Sequence, residues 1–142
     1  MSGAARLSRE EFDAIVAAEL PIALRLGFRL DGFEHGHVVA RAAYQNDFVR
    51  PGGTIAGPVL MALADYAMYA VTLSMIGRVE LAVTTSLNIN FLRKPGPRDV
   101  IAEARMLKLG RRLAVSEVTL RSEGEGDPVA HVTGTYSIPP RS

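Results

Sequence analysis

Between Pro58 and Ile76 the chain is built from Val, Leu, Met, Ala, Tyr, Ile and two hydroxyl residues, and it carries a single charge, Asp65. A helix that is apolar all round has no face to offer water, so such a run either crosses a membrane or fills the middle of a fold. Its length approaches the ~20 residues that span a bilayer. Spanning would place Asp65 near the hydrocarbon centre at a cost of ~2.5–3.5 kcal/mol, and no basic cluster flanks either end closely. The residues that follow also read as several strands. We therefore expect a core helix around which the rest of the chain must wrap. Asp65 then becomes the residue to explain, because an unpaired buried carboxylate costs several kcal/mol unless it shifts its pKa or finds a partner. Such a group is kept either for chemistry or for a structural role, bonded to backbone or to a tyrosine such as Tyr66 or Tyr69 of a neighbour.

The chain of 142 residues is expected to form one domain over 1–142, long enough to bury about two-thirds of its unfolded surface. Sixteen basic residues against 15 acidic ones leave a net charge of +1, so there is no electrostatic footprint for nucleic acid or an anionic membrane. The chain has no cysteine, which removes disulfides, thiolate catalysis and Cys-based metal sites. The N-terminal MSGAARLSREEF lacks the charged-then-apolar run of a signal peptide, and a cytoplasmic protein is expected.

Ser8 and Glu11 form a capping-box signature, and Phe12, Ile15, Val16 and Leu20 keep helical spacing until Pro21, so a short helix is expected at about 8–20. Phe28 to Phe33 and Val38 to Tyr44 flank a His35-Gly36-His37 turn and suit a hairpin. Gln45 to Ala56 holds Pro51, Gly52 and Gly53 and reads as a loop. Gly57-Pro58 opens the long helix, with proline where its missing N–H does no harm. From Val79 to Phe91 the period is two, Val79, Leu81, Val83, Thr85, Leu87, Ile89 and Phe91 alternating with polar or small residues. Further strands are expected at about Val100 to Lys108, Leu113 to Arg121 and Val129 to Ile138. The order is that of an α+β domain whose antiparallel sheet curls around one helix.

The segment GGTIAGPVLMALADYAMYAV resembles the signature of hotdog-fold acyl-CoA thioesterases of the phenylacetic-acid-degradation (PaaI-like) type. LAVTTSLNINFLRKP, KLGRRLAVSEVTL and VAHVTGTY resemble that family's later strands, so the resemblance covers roughly Leu26 to Ser137. It implies a hotdog fold, a long central helix wrapped by a curved antiparallel sheet, and hydrolysis of an acyl-CoA at sites formed between protomers. Two departures stand out. The family usually reads His-Gly-Gly where this chain has Ala56-Gly57-Pro58, and asparagine where it has Arg50.

Thioester hydrolysis needs a base or nucleophile at the acyl carbon and donors aimed at the developing oxyanion. Asp65 can serve as the first, as general base or as nucleophile. The backbone N–H groups of Gly57 and of the residue just beyond Pro58, aided by the helix dipole, can serve as the second. Eight residues of helix separate Gly57 from Asp65, ~12 Å at 1.5 Å per residue, so one chain cannot bring both to one carbonyl. An isologous dimer with two composite sites follows, and a tetramer of paired dimers is expected.

The resemblance assigns Thr84 to the hydroxyl residue that positions water. Arg50 stands where the family's amide meets substrate, with Ala56 and Pro58 lining the same site. Arg93, Lys94, Arg111 and Arg112 are the basic pairs available for the phosphates of coenzyme A, which enters only as part of the substrate. His35, His37 and His131 have no metal-ligand spacing; we expect neither a metal nor a bound cofactor. No GxSxG, GxxxxGK[ST], strand-borne GxGxxG or HExxH occurs. The expected activity is hydrolysis of a small or medium acyl-CoA, aromatic groups included. The alternative is a hotdog protein that binds an acyl ligand without turnover.

Overall fold

The computed structural model describes residues 4–140. Helix α1 (Arg9–Glu19) is followed by α2 (Pro21–Arg25), the hairpin β1 (Phe28–Glu34) and β2 (His37–Ala42), and a single 3-10 turn at Asn46–Phe48. A two-residue hairpin, β3 (Val49–Arg50) and β4 (Thr54–Ile55), precedes the long helix α3 (Gly57–Ile76). Four strands complete the fold: β5 (Val83–Phe91), β6 (Val100–Leu109), β7 (Leu113–Ser122) and β8 (Pro128–Ser137). The six long strands form one antiparallel sheet in the order β1-β2-β6-β7-β8-β5. Its concave face holds α3, as expected of the hotdog fold.

The capping box forms as the spacing predicts. The Ser8 hydroxyl accepts from the Glu11 N–H at 3.0 Å, and the Ser8 N–H donates to Glu11 Oε1 at 2.8 Å. Pro21 ends α1 and at once opens α2, a turn of helix that the sequence pattern does not reveal. Phe12 anchors this pair of helices: it is fully buried, with its ring centroid 5.6 Å from Phe33, 5.9 Å from Tyr66 and 5.8 Å from Tyr69. Alpha2 is thereby held beside the middle of α3.

Helix α3 passes the length and hydropathy test for a membrane span, yet Leu63, Ala64, Ala67, Met68, Ala70, Val71 and Leu73 are all fully buried against the sheet. Close contact is possible because β8 offers Gly134 beneath it: a Cβ there would lie 2.5 Å from Met68 Sδ and 3.1 Å from the Ser86 carbonyl oxygen. One expectation is corrected, since the helix is not buried all round. Pro58 and Met61 are exposed, and Ala62 and Asp65 are half-buried. At spacings of three and four these residues form one stripe along the first half of the helix.

Strand β5 begins at Val83, four residues later than its alternation predicts. Gly77, at φ 84°, ends α3, and the Ala82 N–H bonded to the Val79 carbonyl folds Val79 to Ala82 into a turn. A bulge at Thr85 changes the strand's parity as well. Thr84 pairs with Tyr136, Leu87 with Gly134 and Ile89 with Val132, so Thr84 shares the helix-facing side with Leu87 and Ile89. Beta5 forms one edge of the sheet, and along it Val83 and Phe91 are 57% and 54% exposed.

Candidate active site

Asp65 projects from the uncovered stripe of α3 toward the start of β5. Its Oδ1 accepts two hydrogen bonds, from the Thr84 hydroxyl at 2.6 Å and from the Tyr136 hydroxyl at 2.8 Å. The Tyr136 hydroxyl also lies 3.1 Å from the Asp65 carbonyl oxygen, so one proton is shared between side chain and backbone. One carboxylate oxygen is thus held in place, and the other, Oδ2, has no hydrogen-bond donor among the described residues.

Within the chain the tyrosine that meets Asp65 is Tyr136. Tyr69 instead donates to the Glu80 carbonyl at 3.0 Å, and Tyr66 packs against Phe28 and Phe12. The contact depends on pairing across the sheet, since Thr84 and Tyr136 are register partners 52 positions apart in the chain (136 − 84). The bulge at Thr85 turns Thr84 to the helix side, which Tyr136 already shares with Val132 and Gly134 on β8. Burial first, then the charge of Asp65, pushes the Tyr136 phenol far above its ordinary range, so it stays a proton donor through neutral pH. Tyr136→Phe keeps the ring and removes this donor; a charge-assisted hydrogen bond of ~1.5–3 kcal/mol implies a fall in kcat of about tenfold or more. KM should change little, and a variant with wild-type kcat would remove Tyr136 from the site.

Three cavities border Asp65. One, of about 300 Å³, opens on the uncovered stripe between Pro58, Met61, Ala62, Thr84 and Leu87. A second, of about 160 Å³, is lined by Tyr69, Glu80, Thr84 and Tyr136 with Glu19 at its rim. The third, of about 110 Å³, lies between α2 and α3. Burial raises the Tyr69 phenol to about 12, with Glu80 and Glu19 adding to the effect.

The other predicted groups gather elsewhere. A cleft of about 490 Å³ at the start of α3 is lined by Arg50, Gly57, Leu60, Phe91, Arg93 and Lys94. Of the two candidate oxyanion donors only Gly57 remains free, because the Val59 N–H bonds to the Ala56 carbonyl at 3.1 Å. No acceptor for the Gly57 N–H is present among the described residues. Ala56, the N-cap, offers no polar side chain to compete for it. The missing side chain of Gly57 has a further consequence: a Cβ would lie 3.2 Å from Phe91 Cζ, so the glycine lets the aromatic ring close over the helix start. Arg93 reaches Asp127 at 3.3 Å, both exposed, and Arg50 pairs across its hairpin with Thr54.

Arg111 and Arg112 are not brought to this cleft. They border a separate cavity of about 200 Å³ with Pro139 and Pro140, at the sheet end where Val83 and Leu113 both pair with Ser137. His37 and His131 face away from α3 and lie 2.6 Å from Glu103 and 3.0 Å from Glu117. Within one chain, then, the Asp65 carboxylate and the candidate oxyanion donor Gly57 line different cavities.

Comparison with known proteins agrees with this fold. The Thioesterase superfamily pattern matches residues 52–129, which hold Gly57, Asp65 and Thr84. A protein assigned as a thioesterase from Silicibacter sp. TM1040 has a solved structure that is 43% identical, with a TM-score of 0.87 over 96% of this chain and 94% of that one. A mutant of the phenylacetic acid degradation protein PaaI from Thermus thermophilus is 31% identical, with a TM-score of 0.74 over 83% of this chain and 98% of that one. A protein assigned as an esterase from Saccharolobus solfataricus is 31% identical over 80% of this chain and 74% of its own length. With the central helix, the wrapped sheet and the carboxylate in place, the chain belongs to the Thioesterase superfamily as a hotdog-fold hydrolase of thioesters of the PaaI-like type.

Proposed function

We propose that this protein is a cytoplasmic acyl-CoA thioesterase that hydrolyses small or medium acyl-CoA thioesters at two composite sites of an isologous homodimer. The observation that carries the reading is the separation of the two halves of the site within one chain. Asp65 lines the cavity on the uncovered stripe of α3 beside the unpaired edge strand β5, while Gly57, its N–H free, lines a cationic cleft at the other end of that strand. A two-fold that pairs β5 antiparallel with its copy lays the Thr84 end of one strand beside the Phe91 end of the other. It covers Pro58, Met61, Val83 and Phe91 and satisfies the open edge. Asp65 then meets the oxyanion donor Gly57 of the partner subunit.

In this site Asp65 Oδ2 takes a proton from water, and the water oxygen adds to the thioester carbonyl carbon. Negative charge passes to the carbonyl oxygen, which the Gly57 N–H and the positive end of α3 stabilise. Collapse of this intermediate breaks the C–S bond; the coenzyme A thiolate leaves, takes up a proton, and the free acid remains. The 160 Å³ cavity lined by Tyr69, Glu80 and Tyr136 borders Asp65 and is large enough to admit water. Thr84 and Tyr136 keep Oδ1 occupied, so Oδ2 is the oxygen that meets the proton.

Arg93 and Lys94 are suited to the phosphates of coenzyme A, and Arg50 to the substrate carbonyl or the pyrophosphate, because the cleft they line is wide and has no acidic residue on its walls. Ala56 and Pro58 contribute shape and backbone to the same helix start. Arg111 and Arg112 lie at the strand end that the two-fold brings alongside the partner's Arg93, and they extend the basic surface available to the nucleotide. Further pairing of dimers into a tetramer is the expected assembly. No metal or bound cofactor enters the reaction as proposed.

Single turnover of an acyl-CoA in heavy-oxygen water tests the base mechanism. Label is expected in the released acid and not in Asp65, as read by mass spectrometry of the digested protein. Label in the carboxylate would mean that Asp65 attacks directly through a mixed anhydride.

A further inference from the structure

We infer that the cavity between α2 and α3 holds the acyl group, and that it selects short, uncharged aliphatic acyl chains of about four to six carbons. This rests on the hydrolase reading above and assigns the part of the substrate that reading leaves open. The cavity begins at Asp65 and Ala62, where the carbonyl carbon must lie for water activated by Oδ2 to reach it. From there it runs under α2, with Leu20, Ala23 and Leu26 as one wall. Tyr66 and Phe28, their ring centroids 5.6 Å apart, close the far end. The docking of Phe12 holds α2 in place, so this wall belongs to the packed core and is not a loose flap.

Size and polarity set the class. At about 110 Å³, and with roughly 30 Å³ for each water-sized group, the cavity takes about four carbon units beyond the carbonyl. A benzene ring has been accommodated by an apolar cavity of ~150 Å³, so an arylacetyl group exceeds this space. Asp65 at the mouth is the only charged residue in its lining, and a charged tail would be buried without a partner. Ala23 and Ala62 create the room: a larger side chain at either position would fill it.

The test is kcat/KM for acetyl-, butyryl-, hexanoyl-, decanoyl- and phenylacetyl-CoA with the full-length wild type, Ala23→Leu and Leu20→Ala. Each protein is checked for its assembly state and for cooperative thermal unfolding. Wild type should prefer butyryl and hexanoyl, with decanoyl and phenylacetyl about tenfold or more lower, since each methylene in such a pocket is worth ~10-fold or more. Ala23→Leu should lower the hexanoyl-to-acetyl ratio about tenfold or more. Leu20→Ala, which opens the same wall, should move the optimum toward decanoyl. If Ala23→Leu does not fold, Leu20→Ala alone decides. Turnover with a flat chain-length dependence, or with ratios that neither variant moves, overturns the acyl assignment and leaves the hydrolase reading standing. Absence of turnover on every acyl-CoA by wild type overturns both.

Discussion

Asp65→Asn is expected to slow free-thiol release from acyl-CoA by ~10²-fold or more while the protein remains folded and assembled. The substitution is close to isosteric. Its amide oxygen can still accept from Thr84 and Tyr136, the two donors that hold Oδ1 at 2.6 and 2.8 Å. The lost element is the proton acceptor at Oδ2. Because the carboxylate is half-buried among apolar residues of α3, replacing it by a neutral amide also removes a desolvation cost, and thermal stability should stay the same or rise. Activity lost together with stability would point to a structural carboxylate. Full activity in a stable variant would remove Asp65 from the chemistry and require another base or nucleophile for the hydrolysis.

The second large effect is recovery of activity when two inactive proteins are mixed. Gly57→Pro removes the free N–H at the helix start; proline suits the first helical turn, and Ala56, at φ −66° and ψ 143°, already has the extended backbone that must precede it. The ring would press on Phe91, which is 54% exposed and free to move outward. Gly57→Pro and Asp65→Asn should each be inactive alone. When equal amounts are dissociated and reassembled, about half of the dimers are mixed. Each mixed dimer joins an intact Asp65 from one chain to an intact Gly57 from the other, giving one working site of two. About a quarter of wild-type turnover is then expected. No recovery in demonstrably mixed dimers would mean that both groups act within one chain, against the separation of their cavities.

The central helix, its start at Gly57 and its end at Ile76 were legible because a long apolar run bounded by Gly-Pro and glycine has few other places to go in a folded chain. Asp65 stood out for the same reason: a single charge in such a run must be explained. The expectation of a composite site rests on helical rise alone, since residues 57 and 65 cannot meet along one rigid rod. These properties are local, set by covalent geometry and by the cost of burying charge.

Several features of the site are not local. Thr84 faces Asp65 only because a bulge at Thr85 inverts the strand's alternation, whereas strict period-two spacing puts it on the other side. Tyr136 reaches the carboxylate through strand pairing across 52 positions (136 − 84), which no spacing along the chain encodes. The free N–H narrowed to Gly57 when the Val59 amide closed onto Ala56. Alpha2, too short to announce itself, came to wall the cavity beside Asp65 because Phe12 packs among Phe33, Tyr66 and Tyr69. Periodicity and charge isolation act through neighbours in sequence, whereas register, bulges and packing partners depend on the energy of the whole assembled core. The isolated carboxylate of Asp65 was therefore legible in the chain, and the Thr84 and Tyr136 hydroxyls that hold it were settled only by folding.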